Sequence, residues 1–197
     1  MIYCATTNPG KLREFRLFAD RIGEARFPID ILPGLATIQP PEETGRTFEE
    51  NAAAKAVYYS AHTAGEYLFA EDSGLEVTAL GGSPGVYSAR FAGEGASDAA
   101  NNALLIERLK GASDRSCRYV CVAALARGGT LVKTFRGEVC GEILGQPRGA
   151  NGFGYDPLFF YPAFGCTFGE TPPERKMEVS HRGRALQELF SWLAGNG

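Results

Sequence analysis

Histidine is scarce in this 197-residue chain, which has only His62 and His181. The five cysteines, Cys4, Cys117, Cys121, Cys140 and Cys166, include no Cys-x-x-Cys pair. Together these shortages exclude a zinc constellation, and an odd cysteine count argues for reduced thiols rather than a disulfide framework. No apolar run approaches the roughly 20 residues of a membrane span. Met1 to Ala5 is too short for a signal peptide and runs straight into a turn. A cytoplasmic protein with no membrane partner is expected. Positive charge is also short, with 20 Lys and Arg against 23 Asp and Glu, for a net charge of −3. A protein that grips a nucleic-acid polymer is usually basic, so that partner is excluded, and an anionic ligand must be met by a local cluster of cations.

Hydrophobic residues make up 44% and charged residues 22% of the chain, which rules out disorder. A chain of this mass exposes roughly 9,000 Å² folded against about 31,000 Å² unfolded, enough burial for a core without staples. There is no repeat, low-complexity tract or linker, so residues 1–197 read as one domain. Ile2–Thr6 reads as a buried strand broken by Asn8-Pro9-Gly10. Leu12, Phe15, Phe18 or Ala19, and Ile22 then fall at helical spacing. Phe27–Leu32 alternates weakly, as a second strand would. Residues 33–46 form a long polar loop, a length that often carries function. Thr47-Phe48-Glu49-Glu50 is a capping box opening a helix to about residue 63, with Phe48, Ala52, Ala56, Tyr59 and Thr63 on one face. Tyr67–Ala70 is a short strand ending at Glu71-Asp72.

Farther along, Ser97 caps a helix with Leu104, Leu105, Ile106 and Leu109, closed by Gly111. Arg118–Ala126 and Leu131–Phe135 flank a hairpin turn, and Val139–Leu144 continues the sheet. Ser180 caps a last helix whose stripe is Ala185, Leu186, Leu189, Phe190 and Leu193. The pattern predicts an α/β fold: a single two-lobed domain with a mixed central sheet and flanking helices.

Four segments carry chemistry. Thr6-Thr7-Asn8-Pro9-Gly10-Lys11 joins a strand to a helix N-terminus, where free N–H groups and the helix dipole can meet an anion. A cation at Lys11 is poorly placed for that dipole unless an anion offsets it; the alternative is a turn with a solvated lysine. Glu42-Glu43 and Glu71-Asp72 are carboxylates of the kind Mg²⁺ takes, or plain surface charge. Glu71 and Asp72 are adjacent in an extended segment, so they aim to opposite sides. Asn151 to Asp156 bends sharply around Phe153 and Tyr155, either as a base-stacking loop or as a hydrophobic plug. Lys176 with Ser180-His181-Arg182 gathers cations near a helix start, a breach of local rules that often marks function. His62 has no partner near it in sequence and reads as structural.

Taken together these segments resemble the inosine/xanthosine triphosphate pyrophosphatase family, the RdgB-like non-standard purine nucleotide hydrolases. The resemblance rests on Thr6–Lys11, Glu42-Glu43-Thr44-Gly45, Glu71-Asp72-Ser73-Gly74-Leu75, Gly81-Gly82-x-Pro84-Gly85-x-Tyr87-Ser88-Ala89-Arg90, Gly152–Pro157 and Ser180-His181-Arg182-Gly183, in order over nearly the whole chain. It implies an elongated two-lobed homodimer with the nucleotide in a cleft. The implied reaction is Mg²⁺-dependent cleavage of ITP, dITP or XTP to the monophosphate and pyrophosphate, cleansing the nucleotide pool. Carried onto this chain, it puts triphosphate on Thr6, Thr7, Asn8, Pro9, Gly10 and Lys11. It makes Glu42 and Asp72 Mg²⁺ ligands, with Asp72 also the general base for water. Lys55, Ser73 and Arg90 would line the phosphate and sugar region, and Phe153, Gly154, Tyr155, Asp156, Lys176, His181 and Arg182 would hold the base. Thr7 stands where many members have glycine, and Glu71 where bacterial members commonly have aspartate. The rival readings are a nucleotide-binding regulatory module without turnover, a pyrophosphatase for other modified nucleotides, and a purely structural partner protein.

Overall fold

The computed structural model describes residues 1–22 and 28–196. In chain order the elements are β1 (Ile2–Cys4), α1 (Pro9–Ile22), β2 (Ile29–Ile31), α2 (Phe48–Ser60), β3 (Tyr67–Val77), α3 (Asp98–Arg108), β4 (Ser116–Arg127), β5 (Thr130–Ile143), β6 (Phe159–Tyr161), β7 (Cys166–Thr167), α4 (Pro173–Val179) and α5 (His181–Asn196). The strands form one sheet of order β2-β1-β3-β4-β5-β6-β7. β1 runs parallel to β2 and β3, whereas β5, β6 and β7 pair antiparallel. The sheet is mixed, as the alternation of helical and hairpin texture predicts. None of the described helices is long and apolar enough to cross a membrane.

Two differences from the sequence reading bear on the site. β3 does not stop before Glu71 but runs eleven residues to Val77, so Glu71 and Asp72 lie mid-strand and not on a loop. Leu75 and Val77 return to the core and make continuing the strand favourable. Lys176 belongs to a short separate helix, α4, which the sequence reading missed. The expected strand start at Phe27 and the side chain of Ile22 lie outside the described residues.

The chain divides into two compact units. Unit 1 comprises Met1–Asp72, Cys121–Gly137 and His181–Gly197. Its core stacks Phe15 on Phe69 at 5.1 Å and Phe18 on Phe190 at 5.5 Å, joining α1, β3 and α5. Thr47 caps α2 by accepting from the Glu50 N–H at 3.1 Å, as expected. The Glu50 carboxylate takes the Arg46 N–H at 2.6 Å instead of reaching back to Thr47, so the box is displaced by one residue. Unit 2 comprises Ser73–Val120 and Glu138–Ser180. Leu75, Leu105, Leu109, Tyr119, Phe159 and Phe168 centre its core. Between β4 and β5, Gly128 and Gly129 sit at φ 55° and 79°, the two-residue turn that the hairpin signal calls for.

All five cysteines are free: Cys4, Cys117 and Cys121 are buried, Cys166 is half-buried and Cys140 is exposed. Burial pushes the Cys4 thiol up to about 12 and raises Cys117 and Cys121 as well. Because the thiolate is the reactive form, iodoacetamide should label Cys140 first and leave these three untouched until denaturant is added. Peptide mass spectrometry reads this, and native-state labelling of Cys4 or Cys121 at the rate of Cys140 would contradict the packing.

Candidate active site

β3 presents Glu71 and Asp72 to opposite sides, as adjacent strand residues must be, and the two meet different surroundings. Glu71 is 4% exposed. Its Oε1 lies 2.5 Å from Lys11 Nζ, and its Oε2 accepts from Cys121 Sγ at 3.1 Å. Arg182 Nη2 stands 3.5 Å from both carboxylate oxygens, while Nη1 binds Glu14. Burial pushes the Glu71 carboxyl up, but Arg182 and Lys11 outweigh it and hold the group well below the usual carboxylate range. Asp72, 7% exposed, has weaker support. Oδ1 is 2.9 Å from Lys55 Nζ, and among the described residues Oδ2 has only the Asn51 amide, at 3.2 Å. Here burial wins over the lysine, and the Asp72 carboxyl is raised. Neighbouring acids whose environments drive their pKa values apart mark a division of labour between a fixed charge and a working group.

Local structure explains how these partners arrive. Asn51 and Lys55 are four apart on α2, so they share a face and both reach Asp72. Asn51 Oδ1 also takes the Gly45 N–H at 2.9 Å, tying the polar loop to the strand. Lys55 Nζ holds Glu43 Oε1 at 3.0 Å, so it is Glu43, not Glu42, that joins the lysine and Asp72. Glu42 is exposed and makes no ion pair with a described residue. At the start of α1, Asn8 Oδ1 accepts from the N–H groups of Gly10 and Lys11 at 2.8 and 3.0 Å, and the Asn8 N–H is given to Thr6 Oγ1 at 3.2 Å. The helix end expected to be open to an anion is therefore partly capped by its own asparagine. The anion offsetting Lys11 in this structure is Glu71. Gly137 admits the first turn of α5 against β5, since a Cβ there would lie 2.1 Å from the His181 carbonyl oxygen. That contact sets Arg182 between Glu14 and Glu71.

The other expected residues gather in unit 2. Asp156 is buried, with Oδ2 accepting from the Phe153 N–H at 2.9 Å and from Lys176 Nζ at 2.5 Å. The same ammonium lies 5.3 Å from the Phe153 ring centroid, a cation–π distance. Of the two readings of this segment, Tyr155 takes the plug: its ring is part of the core and its hydroxyl donates to the Ser88 carbonyl at 2.8 Å. In unit 1, both Nη atoms of Arg182 meet carboxylates. His181 is buried beside it at the start of α5. Ser73 follows Asp72 in β3, and Arg90 pairs with Glu94 at 3.4 Å while lying over Tyr87. Sequence reasoning missed Asn51 and Glu14. An asparagine inside an alanine-rich helix was the available signal for the first, since asparagine is a poor helix former.

Does the carboxylate set suit Mg²⁺? In unit 1 four carboxylates, Glu14, Glu43, Glu71 and Asp72, face three fixed cations, Lys11, Lys55 and Arg182. The Asp72 oxygen that meets only the neutral Asn51 amide among the described residues is a hard donor with spare capacity. No group of three or more His, Cys, Asp or Glu suited to a metal occurs among the described residues. Mg²⁺ needs only one or two carboxylates when waters and phosphate oxygens complete its shell, so the set fits.

The sequence profile of the Ham1 family matches residues 2–192. The chain is 49% identical to the dITP/XTP pyrophosphatase of Acidobacterium capsulatum over 202 residues, covering 98% of each chain. It is 48% identical to the dITP/XTP pyrophosphatase of an Exiguobacterium species, covering 94% of this chain and 92% of that one. Among solved structures it is similar to the Ham1 protein of Staphylococcus aureus, with a TM-score of 0.86 at 39% identity, covering 100% and 99% of the two chains.

Proposed function

The chain belongs to the Ham1 family, and from that membership together with the contrast between Glu71 and Asp72 we propose that it hydrolyses non-standard purine nucleoside triphosphates. The substrates are ITP, dITP and XTP, the products are the monophosphate and pyrophosphate, and the role is to clear these nucleotides from the pool. The relatives' names support the substrate class. The single observation that carries the chemistry is Asp72, a buried carboxyl raised above its usual range beside an ammonium group.

On this reading Asp72, buried and held at Oδ1 by Lys55, takes a proton from the attacking water. Asp72 and Glu42 would hold Mg²⁺, which when bound neutralises charge on the phosphate oxygens. Lys55 orients Asp72 through Oδ1 and, with Lys11, supplies fixed positive potential to the triphosphate in a protein of net negative charge. Thr6 to Lys11 receive the phosphates, with Ser73 and Arg90 on the phosphate and sugar. In unit 2 the Phe153 ring stacks on the base, and Lys176 donates to its 6-oxo group. Adenine carries an amino group at that position, so a donor there rejects it. Arg182 acts through Glu71 and Lys11. The protein works as a cytoplasmic homodimer on free nucleotides.

The test is a panel of ITP, XTP, GTP and ATP with Mg²⁺, in ordinary and heavy-oxygen water. Inosine monophosphate and pyrophosphate are the expected products, with the label on one of them only, and EDTA should abolish turnover. Inosine diphosphate as the main product, or equal rates with ITP and ATP, would overturn the proposal.

A further inference from the structure

Both backbone groups of one residue in the Phe153–Asp156 loop are held by a helix that carries none of the expected site residues. The Gly154 N–H donates to Asp98 Oδ2 at 2.6 Å, and the Gly154 carbonyl accepts from Asn102 Nδ2 at 3.0 Å. Asp98 and Asn102 are four apart, so they lie on one face of α3 and hold the two peptides that flank the Gly154 Cα. Gly154 sits at φ +62°, a conformation that L side chains rarely adopt and that glycine allows without steric cost. From the inside, the Asp156 carboxylate closes the same loop on the Phe153 N–H.

The residue before Asn102 reaches the other way. Asn101 Oδ1 accepts from the Ala92 N–H at 2.8 Å, and its Nδ2 donates to the Ala89 carbonyl at 3.1 Å. These bonds fix the turn that carries Tyr87, Ser88 and Arg90. Ser88 returns the tie, accepting the Tyr155 hydroxyl at its carbonyl and the Leu75 N–H at Oγ, 2.9 Å away. Two consecutive asparagines inside a helix are against propensity. In addition, the buried Asn102 Oδ1 accepts no hydrogen bond from a described residue. A buried acceptor left unmatched calls for an explanation, and the donor on the same amide supplies one. Leu105 and Leu109 already anchor α3 in the core, so the asparagines are not needed for packing.

We infer that α3 is the frame for base recognition, with Asp98 and Asn102 as positioning residues that hold Phe153 and Asp156 where a purine must meet them. This rests on the base role proposed above for that loop. A merely structural role would cost stability and leave substrate choice alone.

The test uses full-length wild type, Asp98→Ala, Asp98→Asn and Asn102→Ala. In Asp98→Ala and Asn102→Ala the KM for ITP should rise about tenfold or more with kcat within about threefold, because a displaced loop weakens binding before it disturbs the reacting atoms. The ratio of kcat/KM for ITP over ATP should fall in step. Inorganic triphosphate, which has no base, should inhibit all variants with an unchanged constant. Asp98→Asn keeps an accepting oxygen for Gly154 and should recover to within about threefold of wild type. Amide hydrogen exchange across 153–156 should quicken in the two alanine variants and not in Asp98→Asn. Asp98 is exposed, so its variants carry the test even if Asn102→Ala fails to fold. Wild type without ITP turnover would overturn the proposed function and this inference with it. An active wild type with unchanged KM and selectivity in the alanine variants would overturn this inference alone.

Discussion

Asp72→Asn should lower turnover of ITP by about 10³-fold or more while nucleotide binding stays within about tenfold. The amide keeps the shape of the side chain and one accepting oxygen, enough for the Asn51 amide, now 3.2 Å away, or for Lys55 but not for both. It loses the basic form needed to take a proton from water, a contribution of about 10²–10⁴ by itself, and it loses the charge that would hold a divalent cation. The same variant should melt close to the wild-type temperature. The raised pKa of Asp72 means that burial disfavours its charged form more than Lys55 favours it. Removing that charge lifts a burial cost but also takes a partner from Lys55, whose own pKa Asp72 raises. The two effects oppose each other while Glu43 remains on Lys55. Loss of activity without loss of stability is the signature of a group kept for chemistry. Near-wild-type pyrophosphate release by this variant would show that Asp72 is not the base.

What the sequence disclosed here has a physical boundary. Periodicity found α1, α2, α3 and α5, because each buries a stripe at helical spacing, and alternation at Glu71-Asp72 foresaw that the two acids part. The odd cations were also visible: Lys11 at a helix start, and Lys176, His181 and Arg182 together. Their counter-charges were not, because those come from far along the chain. Arg182 meets Glu71 across 111 positions and Glu14 across 168. A cation in breach of the helix-dipole rule signals that an anion is near; it does not say whether that anion is a ligand or a carboxylate of the protein. For Lys11, Lys176 and Arg182 the structure supplies a carboxylate each time. Tyr155 was left between two readings for a related reason. A glycine-flanked aromatic suits a stacking loop or a core plug equally well, and only the packing of Phe159 and Phe168 around unit 2 decides between them.

Glu71→Gln is the mirror experiment, one residue away. Its carboxylate is buried between Lys11, Arg182 and Cys121, and its pKa is held far below the ordinary 4.5 by Arg182 and Lys11 against the pull of burial. A depressed folded-state pKa means that ionised Glu71 adds stability at every pH above its unfolded value, and that this contribution is lost as pH falls below about 4.5 toward the folded value. The glutamine variant lacks that contribution throughout. It also takes the Glu71 carboxylate away from Arg182, which keeps Glu14, and from Lys11. Breaking a buried pair in this way costs about 3–5 kcal/mol, because an uncompensated charge stays inside. For a domain of this size that corresponds to roughly 10 °C in melting temperature. Urea melts at pH 7 should show the midpoint falling with the slope unchanged, and the gap between variant and wild type should narrow as pH is lowered below about 4.5. Glu71→Asp keeps the charge on a shorter arm and should fall between the two. A glutamine variant as stable as wild type at pH 7 would mean that the buried network adds nothing net to the fold, and that Glu71 is kept to place Lys11 and Arg182.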